Sequence, residues 1–284
     1  MSEEQELRHP PGHFYSPIPD RAEVGRRREV LFERRRPELP GIDLNLERQE
    51  ELLRAIRTVY DDLPFDEHPS SDASGCRYGF DNDQFSYADA ICLYGLLRHL
   101  APRRVVEVGS GHSSALMLDV RERFLHGQLE LTFIEPYPER LRGLLREGDH
   151  AHVRILEQPV QDVPRAEFEA LQDGDVLFID STHVSKTGSD VNHLYLEVLP
   201  LLARGVWVHV HDVHYPFEYP EEWVEQGYAW NEAYLLRAFL CFNSAYRIQL
   251  FPTYAQLFHE AWFRAEMPLC LRNPGGSLWM RRES

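Results

Sequence analysis

From residue 104 onward, short apolar runs alternate with segments of helical length, and this rhythm limits the possible folds more than any other feature. Five runs rich in β-branched or aromatic residues cover 104–108, 131–135, 153–156, 176–180 and 206–211. Strands joined by crossover helices form parallel sheets, and strands covered on both faces appear as continuous apolar runs. Two further runs, 246–251 and 277–281, complete a predicted α/β fold: a Rossmann-like, seven-stranded, mostly parallel sheet with helices on both faces.

The segment before this sheet has a different character. Residues 1–45 are rich in proline and charge, and we expect them to form an extended arm. A helical pattern follows over 44–63, then a turn-rich loop over 64–85 and a second helical pattern over 86–100. Near the C-terminus, 255–265 also has a helical pattern. We therefore expect an N-terminal arm and cap helix over 1–75 and one catalytic domain over 76–284.

Composition excludes several classes of function. The 284 residues carry a formal net charge of −16, which argues against nucleic acid as the main partner because phosphate backbones select basic surfaces. The four cysteines form no CxxC pair, as is usual for reduced thiols in the cytosol. The acidic, proline-rich start does not resemble a signal peptide, and no apolar run is long enough to span a bilayer. We expect a soluble, cytoplasmic protein with no membrane partner.

The first predicted strand runs into Gly109-Ser110-Gly111 and then into a helix that includes Ser113. Glycines allow a tight turn and close approach of a ligand, and the helix start presents unpaired N–H groups. This pattern indicates a cofactor loop, although a simple strand-to-helix turn has the same appearance. Ser114 stands where a dinucleotide-binding loop has its third glycine, which weakens an NAD interpretation. Glu107, just before the loop, suits an acceptor for an amino group.

The next two strand ends also carry polar side chains. Glu135 ends the second strand, where an acidic residue can accept both hydroxyls of a ribose. Asp162 follows the third strand and suits the exocyclic amine of adenine, or is a loop carboxylate. Open α/β sheets bind ligands outside the carboxyl ends of their strands, so these residues converge on one crevice.

Four titratable residues follow the fourth and fifth strands: Asp180, His183, His211 and Asp212. Carboxyl ends of parallel strands open onto the same edge, so we expect these side chains to approach one another. Carboxylate with imidazole suits a divalent metal, and a histidine with a near-neutral pKa suits a general base. An aromatic segment over 215–223, together with Trp230 and Asn231, follows directly and is either a substrate wall or a separate hydrophobic cluster.

The motifs EVGSGHSS, IEP, QDV, LFIDSTH and HVHDVHYPFEYP, in this order, resemble the class I S-adenosylmethionine (SAM)-dependent methyltransferases. The likeness covers roughly 75–284 and is strongest to a bacterial group of small-molecule and sugar O-methyltransferases. It implies that SAM is held by Glu107, Gly109, Gly111, Glu135 and Asp162, with Ser110 and Ser113 in the same loop. It also implies that the last strand inserts antiparallel.

Related catechol O-methyltransferases hold magnesium with an Asp after strand four and an Asp–Asn pair after strand five. Asp180 matches the first, but His211–Asp212 replaces the pair, so a metal here is either absent or one that imidazole favours. The candidate metals are Mg, Mn, Fe and Zn, with Asp180, His211 and Asp212 as ligands. His183 stands three residues past Asp180, where the catechol enzymes place a lysine base, and is therefore the predicted general base.

The sequence thus predicts a SAM-dependent methyltransferase that acts on a small-molecule acceptor, with O-methylation favoured. His183, Asp180 and His211 are the predicted catalytic residues. The arm suggests packing against a neighbouring subunit in a homodimer. Three alternatives remain: an NAD-dependent oxidoreductase, a metal-dependent enzyme of the same fold with non-methylation chemistry, and a non-catalytic scaffold.

Overall fold

A computed structural model describes residues 8–70, 72 and 75–284, and its centre is a single seven-stranded sheet. The strands, numbered along the chain, are β1 Arg104–Val108, β2 Glu130–Ile134, β3 Val153–Leu156, β4 Val176–Ile179, β5 Trp207–His211, β6 Tyr246–Leu250 and β7 Ser277–Arg282. Their spatial order is β3-β2-β1-β4-β5-β7-β6. The strands from β1 to β5 pair in parallel, and β7 inserts antiparallel between β5 and β6. The predicted Rossmann-like sheet is confirmed.

The helices surround this sheet. They are α1 Arg21–Arg26, α2 Arg28–Leu31, α3 Leu46–Tyr60, α4 Tyr87–Leu100, α5 His112–Arg123, α6 Glu139–Leu144, α7 Ala166–Glu169, α8 Asp190–His193, α9 Glu221–Gln226, α10 Glu232–Leu240, α11 Pro252–Phe258 and α12 Glu260–Glu266. A π-helical turn, Leu194–Val198, continues α8. Within the described ranges, no helix has the length and apolarity required to cross a membrane.

Each face of the sheet supports its own hydrophobic core, because side chains alternate along a strand. In β4, Val176 and Phe178 belong to the core beneath α3, α4 and α5. Leu177 and Ile179 belong to the core beneath α7, α8 and α10. All four residues are at most 1% exposed, so β4 is covered on both faces. The polar groups needed for chemistry are therefore confined to the strand ends.

Two sequence-based expectations, for the arm and for 255–265, need correction, and the 64–85 loop is confirmed with an added detail. The described part of the arm contains two short helices, α1 and α2, instead of being extended throughout. The 64–85 segment has the predicted turns, but Tyr78 and Phe85 are buried in the core that also holds α4. The helix expected over 255–265 is two helices, α11 and α12, which meet at His259.

Candidate active site

The loop after β1 and the end of β4 approach so closely that only glycine fits between them. Gly109 has φ +79°, and a Cβ there would lie 1.8 Å from the carbonyl oxygen of Asp180. The Asp180 N–H donates to the carbonyl oxygen of Val108 at 2.8 Å, which extends the β1–β4 pairing to the edge. The glycine loop and Asp180 are thus in direct contact at the carboxyl edge of the sheet.

A cavity of about 410 Å³ opens beside this contact, and we call it the glycine-loop cavity. Its lining includes Gly109, Glu135, Gln161 and Asp180. The Glu135 carboxylate accepts from the Ser110 N–H at 3.1 Å, which holds it across the mouth of the loop. Gln161 and the predicted Asp162 are both exposed, but only Gln161 lines the cavity.

Glu107 is fully buried behind the loop. Its two carboxylate oxygens accept from the hydroxyls of Ser113 and Ser114 at the start of α5. Burial raises the pKa of Glu107 to about 8, although these two hydroxyls act to lower it. Glu107 and Ser113 therefore bind each other, and their contact with an amino group of a cofactor stays a prediction. The Ser110 hydroxyl also acts to lower the pKa of Glu107.

His183 lies among three carboxylates, and we call Asp180, His183, Asp212 and Glu232 the His183 cluster. Its Nε2 is 3.4 Å from Asp180 Oδ1 and 3.4 Å from Asp212 Oδ2, while its Nδ1 bonds Glu232 Oε2 at 2.9 Å. The sequence predicted the approach of Asp180, His183 and Asp212. It did not predict Glu232, which is 1% exposed and comes from the first turn of α10.

The main chain fixes the position of His183 as firmly as the side chains do. His183 and Asp212 both have positive φ, 59° and 54°, a conformation that non-glycine residues adopt rarely and at functional sites. The His183 carbonyl oxygen accepts from the N–H groups of Asn231 and Glu232, at 3.0 and 3.1 Å. The start of α10 therefore positions His183 through two main-chain bonds in addition to the Glu232 carboxylate.

The electrostatics of the cluster favour a charged imidazole. Burial alone would lower the pKa of His183, but the hydrogen bonds to Asp180 and Glu232 and the charges of Glu232 and Asp212 outweigh it and raise the pKa to about 10. Burial raises the pKa of Asp212. For Asp180 burial acts in the same direction, but His211 and His183 reverse it and lower the pKa. His183 thus holds its proton at neutral pH, and Asp180 stays ionised.

His211 lies beneath this cluster. It is 4% exposed, its Nε2 is 3.7 Å from Asp212 Oδ1, and its Nδ1 has no hydrogen-bond partner among the described residues. Burial lowers the pKa of His211, but Asp212, Asp180 and Asp89 raise it above the ordinary value. Asp89, from the first turn of α4, is 5% exposed and was not found from the sequence. Only the fold brings this part of α4 to the ends of the strands.

The predicted metal ligands Asp180, His211 and Asp212 lie around His183 or directly beneath it. The carboxylates of Asp180 and Asp212 face a common point, but His183 Nε2 already lies 3.4 Å from each. Across residues 8–70, 72 and 75–284, no group of three or more His, Cys, Asp or Glu side chains is arranged to hold a metal ion. The side chains as arranged do not fit the predicted metal site, because the imidazolium takes the cation's position between the carboxylates.

Comparisons with known proteins agree with the fold. Residues 106–213 match a family model described as a methyltransferase domain. An uncharacterized protein of Archaeoglobus fulgidus is 40% identical over 167 residues, which cover 58% of this chain and 74% of that protein.

Similar solved structures include the SAH-bound methyltransferase PaMTH1 of Podospora anserina, 14% identical with a TM-score of 0.45 over 95% of this chain and 99% of that one. They also include the O-methyltransferase TomG of Streptomyces achromogenes in complex with SAM, 17% identical with a TM-score of 0.42 over 93% and 97%. These likenesses are distant. Together with the strand order, the domain match shows that the chain belongs to the class I SAM-dependent methyltransferase family and is an enzyme of that class.

Proposed function

We propose that this enzyme transfers the methyl group of SAM to a hydroxyl of a small-molecule acceptor. The observation that carries the proposal is the His183 cluster: two carboxylates from neighbouring strand ends, Asp180 and Asp212, face one imidazole beside the glycine loop. A hydroxyl must lose its proton as it attacks, and this cluster combines groups that accept a proton with a cation that stabilises an oxyanion.

The glycine-loop cavity suits SAM in three respects. Gly109 lines the cavity and lets the loop after β1 lie directly against the end of β4. Glu135 is at the second strand end, where a carboxylate accepts from ribose hydroxyls. Gln161, rather than Asp162, is in the wall where an adenine amine would be recognised. When bound, SAM would supply the electrophilic methyl group.

The residues of the His183 cluster have different roles in the proposed reaction. Because His183 is already protonated at neutral pH, we assign it the role of stabilising the developing oxyanion, which modifies its predicted role as the base. Asp212, whose pKa burial raises, is the stronger carboxylate base and accepts the hydroxyl proton. Asp180 stays ionised and keeps His183 charged and in place. His211, next to Asp212, helps to balance the negative charge of the cluster.

The pH dependence of turnover tests these roles. Methyl-labelled SAM is incubated with a panel of hydroxyl-bearing acceptors and their deoxy analogues, and label transfer is followed across the pH range. We expect transfer to hydroxyl compounds only and a fall in kcat as the pH rises through about 10, where His183 loses its proton. Transfer to a deoxy amine would contradict O-methylation. A kcat that instead rises toward that pH would restore neutral His183 as the base.

A further inference from the structure

A second cavity, of about 300 Å³, lies between the N-terminal arm and the segment that carries Trp230. Five aromatic residues line it: Phe32 from the arm, and Tyr219, Tyr228, Trp230 and Tyr234 from the other side. We call it the aromatic box. The Trp230 ring also contacts His183, with ring centroids 4.5 Å apart, so one side chain belongs to both the box and the His183 cluster.

The rings form adjoining walls. The Tyr228 and Trp230 planes meet at 74°, those of Trp230 and Tyr219 at 72°, and those of Tyr219 and Tyr234 at 85°. Rings in such different orientations border the same cavity from several directions. Ring faces carry the negative part of the aromatic quadrupole and attract cations, and boxes of this type recognise quaternary ammonium groups.

The charge in the lining of the box also favours a cation. Glu218 contributes a carboxylate to the lining, and none of the described residues that line the box is Arg or Lys. The Tyr234 hydroxyl donates to Glu218 Oε1, which fixes the carboxylate beside the rings. An anionic ligand would be repelled by Glu218, whereas an organic cation gains from both the carboxylate and the rings.

Local structure explains how the box is built. Gly227, with φ +97°, ends α9 and turns the chain back toward the arm, so that Tyr228 and Trp230 follow at once. The Tyr219 hydroxyl accepts from the Ala233 N–H at 3.0 Å, which fixes that wall to α10. On the other side, Arg28 of the arm pairs with Glu221 of α9 at 3.0 Å and holds the arm over the cavity.

We propose that the aromatic box binds an organic ammonium group, and that the methyl acceptor is an amino alcohol or related cation whose hydroxyl reaches the His183 cluster. Calling this ligand the acceptor rests on the proposed function. The binding of a cation in the box does not, and it can be measured without SAM and without turnover.

Choline and its neutral carbon isostere, in which a quaternary carbon replaces the nitrogen, are the probes. Each is titrated at constant ionic strength while the tryptophan fluorescence is recorded, since Trp230 is a wall of the box. We expect choline to bind at least tenfold more tightly than the isostere. Equal binding of the two, or no binding of choline, would overturn the inference.

Variants of Tyr228, which is 46% exposed, locate the binding without disturbing the core. Tyr228→Leu removes one wall and should weaken choline binding about tenfold, which corresponds to about 1.4 kcal/mol. Tyr228→Phe keeps the ring and should retain the affinity. Glu218→Gln keeps the shape and should weaken choline binding several-fold without affecting the isostere. If Tyr228→Leu binds choline as tightly as the natural protein, the box is not the site.

Titration of SAM into the same variants separates the two proposals. Unchanged SAM affinity together with weakened choline binding supports both. Choline binding in a protein that does not bind SAM would overturn both the proposed function and the inference that the bound cation is the methyl acceptor. The box would then be a cation-binding site only. SAM binding with no preference for choline over the isostere would overturn only the cation inference.

Discussion

Replacing Glu232 with Gln removes one of the three carboxylates around His183 and keeps the shape of the side chain. Glu232 is 1% exposed and bonds His183 Nδ1 at 2.9 Å. A hydrogen bond to a charged group contributes about 1.5–3 kcal/mol, and a neutral one about 0.5–1.5 kcal/mol. We therefore expect Glu232→Gln to lower the free energy of unfolding by roughly 1–2 kcal/mol at neutral pH.

The effect should depend on pH in a defined direction. The carboxylates raise the pKa of His183 from 6.5 to about 10, against the effect of burial. Because the folded-state pKa is the higher one, the stabilisation is fully present below pH 6.5 and is lost as the pH rises through about 10. The natural protein should lose stability across this window more steeply than Glu232→Gln, and the two should converge at its upper end.

Urea unfolding followed by circular dichroism at several pH values within this window measures both quantities. Glu222→Gln is the matched control, because Glu222 is an exposed carboxylate of α9. It should change the stability by less than about 0.5 kcal/mol, as surface substitutions usually do. Equal stability and equal pH slopes for the natural protein and Glu232→Gln would refute the claim that Glu232 stabilises a protonated His183.

Three further substitutions test the rest of the structure. Gly109→Ala places a Cβ 1.8 Å from the Asp180 carbonyl oxygen, which forces the loop after β1 away from β4. SAM affinity measured by calorimetry should therefore fall more than tenfold in a protein that still folds. Unchanged affinity would contradict the close approach. Glu135→Ala should weaken SAM binding about tenfold, the effect of losing about 1.4 kcal/mol, with an unchanged melting temperature. Arg77→Met leaves the buried Asp149 carboxylate without its partner at 2.5 Å, and should cost about 3–5 kcal/mol in urea unfolding; a loss below 1 kcal/mol would contradict a stabilising role.

The strands could be predicted because burial on both faces leaves a continuous apolar run. The expected 104–108 and 153–156 coincide with β1 and β3, and the other predicted strands agree with the structure within one residue at each end. The insertion of β7 between β5 and β6 was expected from the family resemblance, and the pairing confirms it. Nothing in the apolar pattern of the last two strands fixes their order.

The error in the helix predicted over 255–265 has a local cause. The helical pattern expected over 255–265 is interrupted at His259, where the structure has φ −123° and one helix ends as the next begins. Apolar residues continue on both sides of this break, so the periodicity does not reveal it. The 64–85 segment was expected to be a loop from its turn residues, yet Tyr78 within it is fully buried. Turn residues predict the shape of the backbone, but they do not show which other part of the chain packs against the segment.

The site residues that follow the sheet strands could be predicted from the sequence, whereas those on the helices could not. Asp180, His183 and Asp212 converge because β4 and β5 are parallel neighbours. Glu232 and Asp89 belong to helices whose approach depends on the whole fold, so no local spacing indicates them. The aromatic segment 215–223 was expected to be either a substrate wall or a hydrophobic cluster. Tyr215 and Phe217 are buried in the core, whereas Tyr219 lines a cavity together with Tyr228 and Tyr234.

Calorimetric titration of SAM into the purified protein tests the central claim most directly. The account predicts micromolar binding that Glu135→Ala weakens about tenfold and that magnesium, manganese, iron(II) or zinc leaves unchanged, because His183 already lies between Asp180 and Asp212. Absence of SAM binding under every condition would contradict the methyltransferase site. Binding that tightens with a metal would contradict the arrangement proposed for the His183 cluster.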